Sequence, residues 1–506
     1  MDEGPLAWIL LAILVSAYTY KQFLVFTRDV PDEYLNEQSV IDSTRNESEL
    51  AIHKSTKLDY SLGLRVGLGI RYGHYKLRNG NLYDIWELAI GHAKKDASKL
   101  IVFGQKPITL SAINGKASQI RDLLLNLRSS LVFEEICLSP ELMFTDPDAF
   151  SVAVACFMMQ ITVHLNNTSC EIESSDKNLV LFEENGSLML KNKLTVVLNL
   201  TMSLDNSTET TLFENAYTFD KDRGIALRVS HRANSRATAR TDFTQSNLVS
   251  AVASCIKSLP PQHEICSNDR IAIIQDNSSI EGFVNGLVKV LVAFVTGSQL
   301  SLASNLEQGS AFCPTIISAN TDVIESMYRK PTGLAKVLEY HRRYSLSCNR
   351  FSGLITEKPY PDLRLLFAHL SINTAQSPID RGKIIASLAV HMVEEIGYFN
   401  AAGPILTSDF YDYRTFSQGV ASQIRACAAV AQTNEIKLVN FGGELGTVAV
   451  RGYNMGKAKT VLGNVGETVV SPDEDGFYQL PVDARWGLDG CMYVLRFDEL
   501  VFTGNA

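Results

Sequence analysis

From residue 81 onward, apolar runs of strand length alternate with apolar-periodic segments of helical length, and no other feature restricts the fold as much. Residues 83–95, 117–130, 246–260, 282–297 and 383–397 place apolar side chains at helical spacing, and residues 149–166 read as an apolar helix followed by a strand. Between them stand compact apolar runs at 99–104, 270–276 and 299–304. Strands separated by helices of this length predict an α/β fold with largely parallel sheets, because a parallel pair needs a long crossover. After residue 430 the pattern changes to short alternating strands and turns at 436–441, 446–453, 467–480 and 490–497, which predicts a β-rich terminal portion.

The 506 residues are enough for two to five folding units, at roughly 100–200 residues each. Fifteen prolines and 46% hydrophobic residues exclude a disordered or collagen-like chain. The net charge of −9 argues against a nucleic-acid protein, which would carry a basic face. The nine cysteines are odd in number, scattered and without a C-x-x-C pair, which fits a reduced compartment.

The first thirty residues stand apart from this enzyme-sized body. Residues 6–20 carry no charge, Lys21 and Gln22 interrupt, and apolar residues resume at 23–26. If Lys21 snorkels, residues 6–26 form a membrane anchor. A signal peptide would lead with positive charge, whereas Asp2 and Glu3 lead here; a hairpin or surface-lying segment is the other alternative. Lys21 and Arg28 follow the stretch and predict that the bulk of the chain is cytosolic. Sequons at Asn46, Asn166, Asn167, Asn185, Asn199, Asn206 and Asn277 keep a luminal glycoprotein in view. Residues 29–60 are polar and read as a linker, and the glycine- and cation-rich stretch 61–80 reads as a loop onto the domain or a rest on anionic headgroups.

Several chemical motifs are missing. There is no G-x-x-x-x-G-K-[ST], the nearest approach being residues 452–457, and no G-x-S-x-G or H-x-x-x-H. No Cys/His group has metal spacing in sequence, so no metal is expected. Residues 472–476 read as a polar turn rather than a calcium loop, and residues 341–343 as a solvated helix face.

One ordered pattern does point to a family. Gly443-Glu444-Leu445, Val448-Ala-Val-Arg451-Gly452, Asn454-Met-Gly456, Asp475-Gly-Phe477, Asp483 and Asp489-Gly490-Cys-Met-Tyr493 follow one another as turn glycines among short strands. This resembles the late core of the AMP-forming, long-chain acyl-CoA synthetases of the adenylate-forming superfamily. Residues 83–87, 146–166 and 244–251 are similar to earlier family segments, so the resemblance covers about residues 80–500. It implies a large N-terminal domain of two α/β subdomains and a β-rich subdomain. The expected division is an anchor at 1–28, a linker at 29–60, an AMP-binding-like core at 61–430 and a β-rich part at 431–506 ending at the family's hinge, with the C-terminal cap domain absent.

The same resemblance implies a degenerate site. The family's glycine-rich phosphate loop corresponds to residues 229–243, which contain no glycine. Ser230, Arg232, Arg236 and Thr241, with Arg240, remain there to meet an anion through side chains, unless the stretch is a solvated basic loop. Asp483 matches the ribose-binding Asp in changed context. Gly443, Glu444, Arg451, Gly452, Asp489 and Gly490 are the remaining family-motif residues. The magnesium-binding Glu is missing or displaced among residues 397–403 or 407–409. No catalytic residue is assigned.

The expectation is therefore a non-catalytic, membrane-anchored scaffold or regulator in lipid metabolism, at the endoplasmic reticulum or lipid droplet. Its expected partners are the membrane through residues 6–26, a protein partner and an acyl ligand, with no nucleic acid and no cofactor. ATP, magnesium and CoA enter only under the alternative of a divergent but active ligase. The apolar helices 283–295 and 385–393 either line an acyl tunnel or form core.

Overall fold

The computed structural model describes residues 4–42, 51–58, 63–72, 76–166, 178–192, 195–203, 224–232, 237–275, 280–355, 358–372, 379–414, 424–442, 445–462, 466–469 and 471–495. Six parallel strands lie side by side in the order Leu100–Phe103, Gln299–Ala303, Arg270–Ile274, Ile316–Asn320, Leu365–Ser371 and His391–Gly397. Their residues are almost wholly buried, as strands covered on both faces must be. Beyond His391–Gly397 the same sheet turns antiparallel through Leu406–Thr407, Ile424–Val430, Met492–Leu495, Tyr478–Trp486, Leu445–Gly452 and Asn434–Gly442. A second sheet of nine strands has its own parallel centre, Asn178–Glu184, Glu135–Leu138, Thr162–Asn166 and Ile225–Arg232.

Helices Leu82–Lys95, Leu110–Arg128, Pro147–Met159, Gln245–Ile256 and Ile280–Thr296 pack on one another and contribute much of the largest hydrophobic core. Asn81 and Thr244 each begin a helix with a reciprocal capping box, satisfying amide groups that a helix leaves unpaired at its start. The α/β alternation therefore stands as expected.

Four local readings are corrected. Residues 29–60 are not simply a linker: Asp32–Asn36 is helical, and strands Ser39–Ile41 and His53–Ser55 add to the free edge of Asn434–Gly442. The pairing holds because His53 and Ser55 bury their side chains, with the His53 ring stacked 3.5 Å from that of Trp486. Residues 383–397 are not one helix: the helix Arg381–Leu388 stops where Ala389 enters the left-handed region (φ 51°), and strand His391–Gly397 follows. Residues 457–462, expected within the β-rich part, pair instead with Ala237–Thr244 in the second sheet. Residues 341–343 are no solvated face, since Arg342 is buried and donates to the carbonyl oxygens of Ala386 and Leu354. Within 61–80, strands Ile70–Tyr72 and Lys76–Arg78 pair, Leu68 packs on the core, and Arg78 engages Asp84.

Candidate functional site

The stretch matched to the phosphate loop is a β-hairpin, Ile225–Arg232 paired antiparallel with Ala237–Thr244. Ser230 stands opposite Arg240, whereas Thr241 stands opposite Val229. Directly opposed residues share a face and neighbours alternate, so the two candidate hydroxyls point to opposite faces. The buried Ser230 hydroxyl lies 2.8 Å from His164 Nε2. Arg232 lies at the end of its strand, and Arg236 falls outside the described residues.

Three carboxylates close in sequence to the stretches where the magnesium-binding Glu was expected are engaged by cations of the chain itself. Glu395 forms an ion pair with Lys289 in which both side chains are almost fully buried. Glu394 lies 3.0 Å from Arg381, which also stands 3.3 Å from Asp412. Asp409 is 3.0 Å from Lys57 Nζ and accepts a 3.2 Å hydrogen bond from the Tyr34 hydroxyl. Burial works against the Asp412 charge, but Arg381 and Arg414 outweigh it and hold its pKa below the ordinary value.

Lys289 anchors a polar cluster that sequence inspection did not find. Its Nζ lies 2.9 Å from Cys255 Sγ and 3.7 Å from the centre of the Phe367 ring, and Asn285 donates to Glu395 at 2.9 Å. Burial opposes the ammonium charge, but Cys255 and Glu395 keep its pKa above the usual lysine value. His369, opposite Glu395 in register, is buried, and neither ring nitrogen has a hydrogen-bond partner among the described residues. Burial pushes its pKa down, so the ring is neutral. The cluster sits toward the carboxyl ends of two parallel strands, where open α/β sheets place their ligands. One signal was available: Lys289 is a lone charge inside an otherwise apolar run, and a buried lysine demands a partner.

Asp483 lies on strand Tyr478–Trp486 and accepts a 3.0 Å hydrogen bond from Thr447, its cross-strand neighbour. Other family-motif residues serve local structure. Arg451 pairs with Glu435 and donates to the Asp475 carbonyl at 2.7 Å, capping the Asp473–Gly476 turn. Gly452 has no room for a side chain, because a Cβ there would stand 2.4 Å from the Thr433 carbonyl oxygen. Gly490 turns with φ 74° against Ser39. Asp489 engages Arg414 and accepts from the Tyr493 hydroxyl at 3.1 Å. Gly443 and Glu444 lie outside the described residues.

Of the two alternatives for residues 283–295, acyl tunnel or core, the described residues show core. Phe283 packs edge-on against Phe144, Phe294 packs against Trp86, and the cavity left beside Leu287 and Leu291 is about 20 Å³. That is room for a water and far too little for an acyl chain.

No known family profile matches the chain. An uncharacterized protein of Saccharomyces cerevisiae is 24% identical, over 96% of this chain and 97% of its own. Among solved structures, a long-chain-fatty-acid-CoA ligase of Archaeoglobus fulgidus aligns with TM-score 0.55 at 13% identity, covering 85% of this chain and 86% of its own. o-Succinylbenzoate CoA synthetase of Bacillus subtilis aligns with TM-score 0.56 at 14% identity, covering 80% and 77%. The N-terminal domain of a Mycobacterium tuberculosis protein, FACL13, aligns with TM-score 0.55 at 10% identity, covering 82% of this chain and 99% of that domain. The chain thus has the mixed α/β fold of the N-terminal domain of adenylate-forming enzymes.

Proposed function

We propose that this chain is a membrane-anchored, non-catalytic relative of the acyl-CoA synthetases, acting as a scaffold or regulator in lipid metabolism at the endoplasmic reticulum or lipid droplet. The observation that carries the reading is the pairing of Glu394, Glu395 and Asp409 with Arg381, Lys289 and Lys57. A magnesium–nucleotide site needs carboxylates free to meet the ion. Here these three already serve the protein's own cations, and freeing Glu395 would strand a buried ammonium. The separated faces of Ser230 and Thr241 and the closed core beside Leu287 point the same way. The helix Leu6–Phe26, long and apolar enough to cross a bilayer, supports the anchor.

The test is pyrophosphate release by the purified full chain given ATP, magnesium, CoA and a long-chain fatty acid. The expected release equals the protein-free blank. Fatty-acid-dependent release would overturn the scaffold reading and establish the second one, a divergent ligase, which the fold likeness to acid–CoA ligases favours. For the scaffold itself, the expected result is a defined partner copurifying with the membrane-embedded protein.

A further inference from the structure

The helix Gly333–Ser347 carries an apolar stripe on its outer face. Leu334, Val337, Tyr340 and Tyr344 are 66%, 62%, 62% and 43% exposed. At 3.6 residues per turn they fall within an arc of about 120°. The opposite face buries Glu339, Arg342, Ser345 and Leu346 against the body. The helix is thus fixed from behind and apolar in front.

Its surroundings identify what the stripe faces. The Tyr20 hydroxyl of the N-terminal helix hydrogen-bonds His341 Nε2, on the turn between Tyr340 and Tyr344. One turn further, the Arg350 guanidinium lies 4.9 Å from the centre of the Phe23 ring. Asp29 then donates its amide to the Asn349 carbonyl at 3.0 Å and accepts from the Phe351 amide at 2.6 Å. The stripe therefore adjoins the last turns of the apolar helix, and Tyr20 stands only about 9 Å along the axis before Phe26. Residues 329–350 hold six Arg or Lys and one Glu in a chain of net charge −9, and Arg329, Lys330 and Lys336 are exposed. Tyrosines at the rim, leucine and valine in the stripe and lysine and arginine beside it are the composition of an interfacial helix.

We propose that Gly333–Ser347 lies in the surface of an anionic bilayer, beside the point where the N-terminal helix enters. Leu334, Val337, Tyr340 and Tyr344 sit at the boundary of headgroup and acyl chain, and the flanking cations meet lipid phosphate and carboxylate. The body is then held to the membrane at two points and cannot swivel on a single helix. This inference rests on the anchor reading of Leu6–Phe26.

Tryptophan quenching in vesicles of phosphatidylcholine and phosphatidylserine carrying brominated acyl chains tests both and keeps them apart. The full-length chain holds Trp8 within the apolar helix and Trp86 and Trp486 in the body, so the Trp8 signal is read as the difference from Trp8→Phe, and Val337→Trp adds a reporter at an exposed position, read as the difference from the unchanged chain. The expected result is quenching of Trp8 and a further blue-shifted emission from Val337→Trp, quenched more by bromines near the headgroup than by bromines near the chain ends. Quenching of Trp8 with an unquenched, water-like signal from the new tryptophan overturns the inference and leaves the anchor standing. A blue-shifted but unquenched signal there means that protein covers the stripe, and overturns it too. If Trp8 itself escapes quenching, the anchor reading fails and takes the inference with it.

Discussion

Lys289 shows how much one residue can decide in this fold. Removing its charge by Lys289→Met leaves Glu395 buried and unpaired, because Asn285 supplies a single hydrogen bond. Breaking a buried pair in this way costs about 3–5 kcal/mol. The variant should unfold at a clearly lower urea midpoint, and adding Glu395→Gln should restore most of the loss, since the double variant buries no net charge. His53 offers a different readout. Burial against Trp486 pushes its pKa down from the usual 6.5 to about 4. A group whose folded pKa is depressed binds protons more readily when unfolded, so its stabilising contribution is complete above pH 6.5 and is lost as pH falls from there to about 4. Between pH 7 and pH 5 the loss is about 2 kcal/mol. His53→Gln should remove that part of the dependence, measured as the difference in unfolding free energy at the two pH values. The sequence marked Lys289 as a charge in an apolar run but not its partner, and it marked His53 not at all. The partner of Lys289 lies more than a hundred positions away, and His53 sits in a three-residue strand too short to show alternation.

Elements were legible where their signals are local. The helix Gln245–Ile256 begins at Thr244, whose hydroxyl accepts from the Asn247 amide, and apolar residues follow at helical spacing. Thr244→Ala should destabilise the protein by about 1 kcal/mol, seen as a small shift of the unfolding midpoint with no change in its slope. The parallel strands were legible for a related reason, being short apolar runs set between such helices. What escaped the sequence was pairing. Ser39–Ile41 and His53–Ser55 are strands only because Asn434–Gly442 offers them an edge nearly four hundred residues later. Lys457–Leu462 joins the second sheet because Ala237–Thr244 leaves a free edge there. The geometry of the candidate site was hidden for the same cause. Ser230 and Thr241 look like neighbours in a loop, and the hairpin register that turns them apart is a non-local property.

At the scale of the molecule, the proposed anchor implies a side of the membrane for the body. Asp2 and Glu3 precede the apolar helix, while Lys21 lies in its last turns and Arg28 just beyond it, and positive flanks stay cytosolic. The cations around Gly333–Ser347 lie on the same side, and anionic lipid is concentrated in the cytosolic leaflet. A luminal body would meet the glycosylation machinery instead. Asn185 is the most telling sequon for that choice: it is exposed, with φ 50°, at the tip of the turn joining Asn178–Glu184 to Ser187–Asn192. In the Asn185-Gly-Ser triplet, Asn185 and Gly186 are exposed and Ser187 is half-buried. The expected outcome for the full-length protein isolated from a eukaryotic membrane is therefore an unchanged gel mobility after endoglycosidase treatment. A downward shift abolished by Asn185→Gln would reverse the orientation, put the basic helix against a luminal leaflet poor in anionic lipid, and remove the electrostatic half of its attachment.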